Sequence, residues 1–131
     1  MIGVCLNCHN DTYVDNFYEQ FDNLVEVCNE NFAIPASEFM DMLAEDGIIS
    51  RDKPWEKEVQ WIYWELWNHD GRFARHGASM MGPSITRKGM EKLSRNFYTR
   101  FLPAVIDAAA DKSAELKNKY EKLVAEQLSQ Q

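Results

Sequence analysis

Apolar residues recur at intervals of three and four along most of this chain. Val14, Phe17, Phe21, Leu24, Val25, Cys28 and Phe32 fall on one stripe. That is the period of an amphipathic helix, not the two-residue alternation of a strand. The spacing predicts a helix over 11–33, with Asp11 or Thr12 capping its start. Ile34-Pro35 breaks the pattern. A shorter helix follows, with Phe39, Met40 and Leu43 inward and Gly47 as its C-terminal stop. Asp52-Lys53-Pro54 predicts the start of a third helix over 54–70, with Asp52 as N-cap and Pro54 in the first turn. From Thr86 the pattern is helical almost to the end, over 86–128, with Pro103 kinking or restarting it. No segment reads as a strand. The expectation is an all-α fold, a helix bundle with a long C-terminal helix, and one domain over the 131 residues. The tail from Ala104 reads as an exposed helix with a narrow seam, suited to coiled-coil-like packing on a neighbour.

The third helix is unusual in composition. Val59, Ile62, Tyr63 and Leu66 form one stripe, while Trp61 and Trp64 lie on another side and Trp67 joins neither. A helix apolar on two sides is buried between two layers. One layer can be this chain; the other is a porphyrin face or another polypeptide. Cys28, on the first stripe, reads as a buried structural thiol.

The chemistry-bearing motif is Cys5-Leu6-Asn7-Cys8-His9. CxxCH is the spacing of covalent c-type haem attachment. Two thiols add to the two haem vinyl groups, and the adjacent His coordinates the iron. Other readings of CxxC stay open. Structural zinc needs two further close ligands, and the remaining Cys and His are Cys28, His69 and His76. A redox dithiol wants a βαβ setting, which this chain does not offer. A Cys5–Cys8 disulfide is the simplest state without haem.

Downstream, Gly, His and Arg concentrate between helices. His69 and His76 share a face if the helix runs through Gly71. Each is a candidate axial ligand, and the bland alternative is a polar surface residue. Arg72 and Arg75 are candidates for the haem propionates, whose carboxylates suit the guanidinium fork; a solvated face is their alternative.

A net charge of −7 argues against nucleic acid, whose phosphates demand basic patches. No apolar run reaches the roughly 18 residues of a membrane span. Met1-Ile2-Gly3-Val4 is too short for a secretory leader. Because c-type haem is attached after export, further sequence upstream is expected.

Longer runs carry a family resemblance. Cys5 to His9, followed by Tyr13-Val14-Asp15-Asn16-Phe17-Tyr18-Glu19-Gln20-Phe21-Asp22-Asn23-Leu24-Val25-Glu26, resembles the last haem segment of the octahaem hydroxylamine oxidoreductase family. Trp64 to Arg72 and Ala74 to Pro83 resemble the segment after it, and Asn96 to Pro103 its closing helix. The likeness spans about residues 4–105; residues 106–131 are a helical tail outside it. It implies a periplasmic, helical multihaem cytochrome, commonly a trimer, that oxidises hydroxylamine or hydrazine or reduces nitrite or hydroxylamine. This chain would be its C-terminal part, with one covalent haem c at Cys5, Cys8 and His9. His69 and His76 fall at family histidines, serving this haem or one on another haem-bearing polypeptide or on the upstream part of the same protein.

The departures carry weight. Oxidative members have Asp-Tyr-Thr after Met-Met-x-Pro, the Tyr cross-linked to the catalytic haem; here Ser84-Ile85-Thr86 stands there. Family Trp-His-Gly is replaced by Arg87-Lys88-Gly89, and family His-His by Asn68-His69. These changes imply no complete catalytic site in this chain. The leading expectation is an electron-transfer segment of a larger multihaem cytochrome. Two others stand beside it: a haem-free helical interaction module or degenerate remnant, and a subunit completing a nitrite or hydroxylamine site on another chain.

Overall fold

In the computed structural model, which describes residues 2–129, three of the helices are rods interrupted by a wide π-turn. A short helix α1 (Ile2–Cys5) precedes them. The first rod is α2 (Asp11–Cys28), a π-turn at Asn29–Ala33 and α3 (Ile34–Glu45). The second is α4 (Glu58–Glu65), a π-turn at Leu66–Gly71 and α5 (Arg72–Ser79). The third is α6 (Pro83–Asn96), a π-turn at Phe97–Phe101 and α7 (Leu102–Ala110). A separate helix α8 (Ala114–Ser129) closes the chain. The described residues contain no strand, so the fold is all-α.

Two π-turns sit immediately before a proline. Pro35 and Pro103 each lie in the first turn of the α-segment that follows. Inside an α-helix a proline removes a backbone donor and its ring strikes a preceding carbonyl. The wider turn gives the ring room, and the residue before each proline donates five residues back, Ile34 to Asn29 and Leu102 to Phe97. Helical structure therefore runs on through Ile34-Pro35, where the sequence pattern reads a break.

The middle π-turn has no proline. It carries Asp70, fully buried. Asn96 of α6 donates to Asp70 Oδ2 at 2.6 Å. Lys92 Nζ stands 2.9 Å from Oδ1, out of line for a hydrogen bond, so that contact is Coulombic. Buried carboxylates persist only with such partners. Asp70→Ala leaves the Asn96 amide without its acceptor, and we expect a loss of about 3 kcal/mol, read by urea denaturation.

The core runs between the rods. Phe97 packs edge-on to Phe32 with ring centroids 5.5 Å apart, and stacks on Phe101 at 5.7 Å. Phe39, Leu43, Val59, Ile62, Leu66 and Val105 fill the space around them. Cys28 is buried, as its place on the stripe predicts, with its thiol 3.4 Å from Met90 Sδ. Burial raises the Cys28 pKa, and Arg75 opposes that rise.

Two boundaries differ from the pattern reading. The third helix starts at Glu58, not Pro54, and the segment before it is a series of turns. Buried Gln60 is the cause. Its Oε1 accepts from Lys57 N at 2.9 Å, and its Nε2 donates to the Ser50 and Lys53 carbonyls at 3.2 and 3.0 Å. One amide thus satisfies the helix start and holds the loop. The tail does not continue as one exposed helix. It turns at residues 111–113, where Ser113 Oγ accepts from Leu116 N at 3.1 Å as an N-cap. Helix α8 then folds back onto α7, burying Tyr120 and Val124.

The end of α3 anchors that return. Gly47 takes φ +64°, as its role as helix stop requires. Lys112 Nζ caps the end by donating to the Asp46 and Gly47 carbonyls at 2.7 and 2.9 Å. Asp46 Oδ2 accepts from Lys119 at 2.6 Å and from the Tyr120 hydroxyl at 2.8 Å. These bonds hold the Asp46 carboxyl below its usual 3.8. A lowered folded-state pKa gives stability that is present above the ordinary value and lost as pH falls through the folded one. Stability should therefore decline below about pH 4, and Asp46→Asn should flatten that decline in a pH series of thermal melts.

Candidate functional site

The CxxCH segment folds as a helical turn. Cys8 N and His9 N both donate to the Cys5 carbonyl, at 3.1 and 3.0 Å. Cys5 and Cys8 are therefore one turn apart on one side of it. Both are free thiols; Cys5 is half-buried and Cys8 exposed. No Cys5–Cys8 disulfide is present. His9 is exposed and stacks on Tyr13 at 4.4 Å and 15°. Asn10 caps α2 by accepting from Tyr13 N at 2.8 Å. The cap is Asn10 and not Asp11 or Thr12, which places the Tyr13 ring under the His9 ring.

Tyr13 leads to the main groove. It is one wall of an open groove of about 780 Å³ between α2 and the α5–α6 turn. Aromatic and aliphatic groups line one side, among them Phe17, Phe21, Leu24 and Val27 of α2. Met81, Pro83 and Arg87 line the other. The Tyr13 hydroxyl donates to Met81 Sδ at 3.6 Å. Met81 holds the left-handed conformation at φ 54°, rare for a side chain of this kind. Arg87 pairs with Glu91.

The other sequence-derived candidates lie elsewhere. His69 and His76 are both exposed, and neither is among the groove walls. His69 meets Trp64 edge-on at 5.1 Å. The helix does run through Gly71, but by a π-turn, which changes the register assumed for the two histidines. Arg72 is exposed. Arg75 lies over Trp67 at 4.3 Å and donates from Nε to the Gly71 carbonyl at 3.2 Å. Among the described residues no group of three or more His, Cys, Asp or Glu is placed to hold a metal ion.

The tryptophans form a second surface feature. Trp55 packs on Trp61 at 4.4 Å and meets Trp64 at 6.0 Å, and Trp61 Nε1 donates to the Trp55 carbonyl at 3.2 Å. Trp55, Trp61, Trp64 and Trp67 remain 39–52% exposed. One layer of the two-sided helix is this chain's core; its other side is open.

The residues fit a c-type haem as far as their donor set goes. Two unpaired cysteines stand one turn apart, a solvent-open imidazole follows them, and an aromatic-walled groove begins at the residue this imidazole stacks on. Pattern reading found the motif but not the groove, whose walls come from residues 68 positions apart. It also passed over Asp70, Gln60 and Met81. No family model, curated protein or solved structure matches the chain.

Proposed function

We propose that this chain is a c-type haem-binding electron-transfer segment of a larger, periplasmic multihaem cytochrome of the hydroxylamine oxidoreductase type. The observation that carries the reading is the CxxCH turn, with Cys5 and Cys8 one turn apart and His9 exposed beside them. Cys5 and Cys8 would hold the haem, each S–H adding across one vinyl C=C to leave a thioether. No electron leaves in that addition, and no oxidant is needed. His9 would supply a nitrogen ligand to its iron. Phe17 and Phe21 of α2 would offer the haem an apolar wall. Bound haem supplies one-electron chemistry at iron.

The chain is not a complete enzyme in this reading. It has one CxxCH, and Ile85 and Lys88 stand where the resembled family carries its cross-linking Tyr and a His. Its exposed tryptophans fit contact with another haem-bearing polypeptide, with the upstream part of the same protein or with further copies, a trimer by resemblance. The test is to express the chain behind a secretory leader in a host that matures c-type cytochromes, then stain a denaturing gel for haem peroxidase activity. A stained band is expected at the chain's mass; an unstained one refutes the reading.

A second reading has its own observation. The exposed tryptophan ridge fits a haem-free helical interaction module, since solvent-facing aromatic patches mark contact surfaces. A chain that never stains yet binds a partner through Trp61 and Trp64 would favour it.

A further inference from the structure

We infer that, in the haem-free chain, the groove between α2 and the α5–α6 turn takes the α1 arm of a second copy. The inference goes beyond the haem reading and does not depend on it. Three observations lead to it. First, the apolar stripe of α2 is longer than its cover. Val14 and Cys28, near its two ends, are buried, yet Phe17, Phe21 and Leu24 between them are only half-buried along the groove. An apolar helix face of this kind calls for a covering layer. Second, the groove suits an uncharged occupant. Among the described residues that line it, only Arg87 is charged, and it pairs with Glu91. Third, the chain itself displays such an occupant. Helix α1 has no buried residue, and Ile2, Val4 and Leu6 are 52, 73 and 40% exposed. Leu6 N donates to the Ile2 carbonyl at 3.1 Å, so the helical turn runs on to Leu6. Ile2 and Leu6 then share one side of the arm and Val4 takes the other. A Cβ added at Gly3 would meet nothing within 4 Å. Residues 2–8 carry no charged side chain.

Both halves of the contact are on one molecule, at different places. An exposed apolar element that complements a pocket elsewhere on the same molecule joins copies head to tail. The lengths agree. The groove follows α2 from Tyr13 to Val27, about 21 Å at the helical rise, and the arm over residues 2–7 is about 9 Å long. The arm's own groove is the less accessible one. The arm leaves α2 at the Tyr13 end, where the His9–Tyr13 stack stands between it and the groove. A neighbour's arm meets no such obstacle.

The test is sedimentation of the full chain, expressed without a leader so that it carries no haem, and kept reduced so that exposed Cys8 cannot link copies. Association at micromolar concentration is expected. Ile2→Asp with Val4→Asp should weaken it about tenfold or more, because charge would have to enter an apolar groove. That variant should leave the fold alone, since α1 buries nothing. Val27→Lys, at a groove wall that is 42% exposed, should weaken association to the same degree. The two variants mixed should associate again as pairs, through the intact arm of one and the intact groove of the other. Trp61→Ala should leave association unchanged, which separates this contact from the tryptophan ridge. A chain that stays monomeric at about 100 μM, association that survives the arm variant, a mixture that does not recover, or loss of association in Trp61→Ala overturns the inference. Far-ultraviolet circular dichroism on each variant separates loss of contact from loss of fold.

Discussion

Gly89→Val should unfold or severely destabilise this protein, by about 3 kcal/mol or more in urea denaturation. Gly89 lies where α6 crosses α5. A Cβ added there would stand 2.5 Å from Ala74 Cα and 2.6 Å from Ala74 N. Those are backbone atoms, so no rotamer change relieves the clash. Gly77 makes the reciprocal notch, where a Cβ would lie 2.6 Å from Thr86 N. With Ala74 fully buried between them, these small residues let two helices approach almost backbone to backbone. Gly82→Ala is the control. Its nearest contacts would be 3.4 Å, ordinary van der Waals distance, and the cost should stay within about 0.5 kcal/mol. The α5–α6 turn carries Met81, so Gly89→Val should also disturb the groove.

The second large effect concerns the two thiols. In a maturation-competent host, Cys5→Ala with Cys8→Ala should remove covalent haem entirely, because no other Cys lies in the turn. Cys28 cannot substitute, being 3% exposed in the core and packed on Met90. Each single variant should keep at most one thioether, with weaker staining and a spectrum shifted toward that of a haem with one vinyl group intact. His9→Ala should lower haem retention without touching the fold, since His9 is exposed and packs only on Tyr13 among the ring contacts.

How far the sequence reaches follows from what each feature depends on. Helix identity depends on local spacing. The stripe from Val14 to Phe32 and the stop at Gly47 could be read directly, and both ends of that stripe are buried. The start at Glu58 depends on one glutamine reaching back to Lys53 and Ser50, which apolar periodicity does not register. The turn at residues 111–113 was signalled only by Ser113 in a run rich in Ala and Lys. The contact that fixes it, Tyr120 to Asp46, spans 74 residues. Asp70 was hidden for the same reason, its partners lying on α6. A lone Asp between apolar positions before Gly71 was the available signal. For the site, Cys5, Cys8 and His9 were legible because the chemistry is contiguous. The groove and Met81 were not, because they exist only once α2 and the α5–α6 turn meet.

The central claim is covalent attachment of one haem to this chain. Its most direct measurement is the alkaline pyridine haemochrome spectrum of denatured, acid-acetone-extracted protein, with iron and chain quantified together. The account predicts a spectrum of the two-thioether type and one haem per chain. Haem that leaves the protein on extraction, or a chain with none after expression with the maturation machinery, would contradict it.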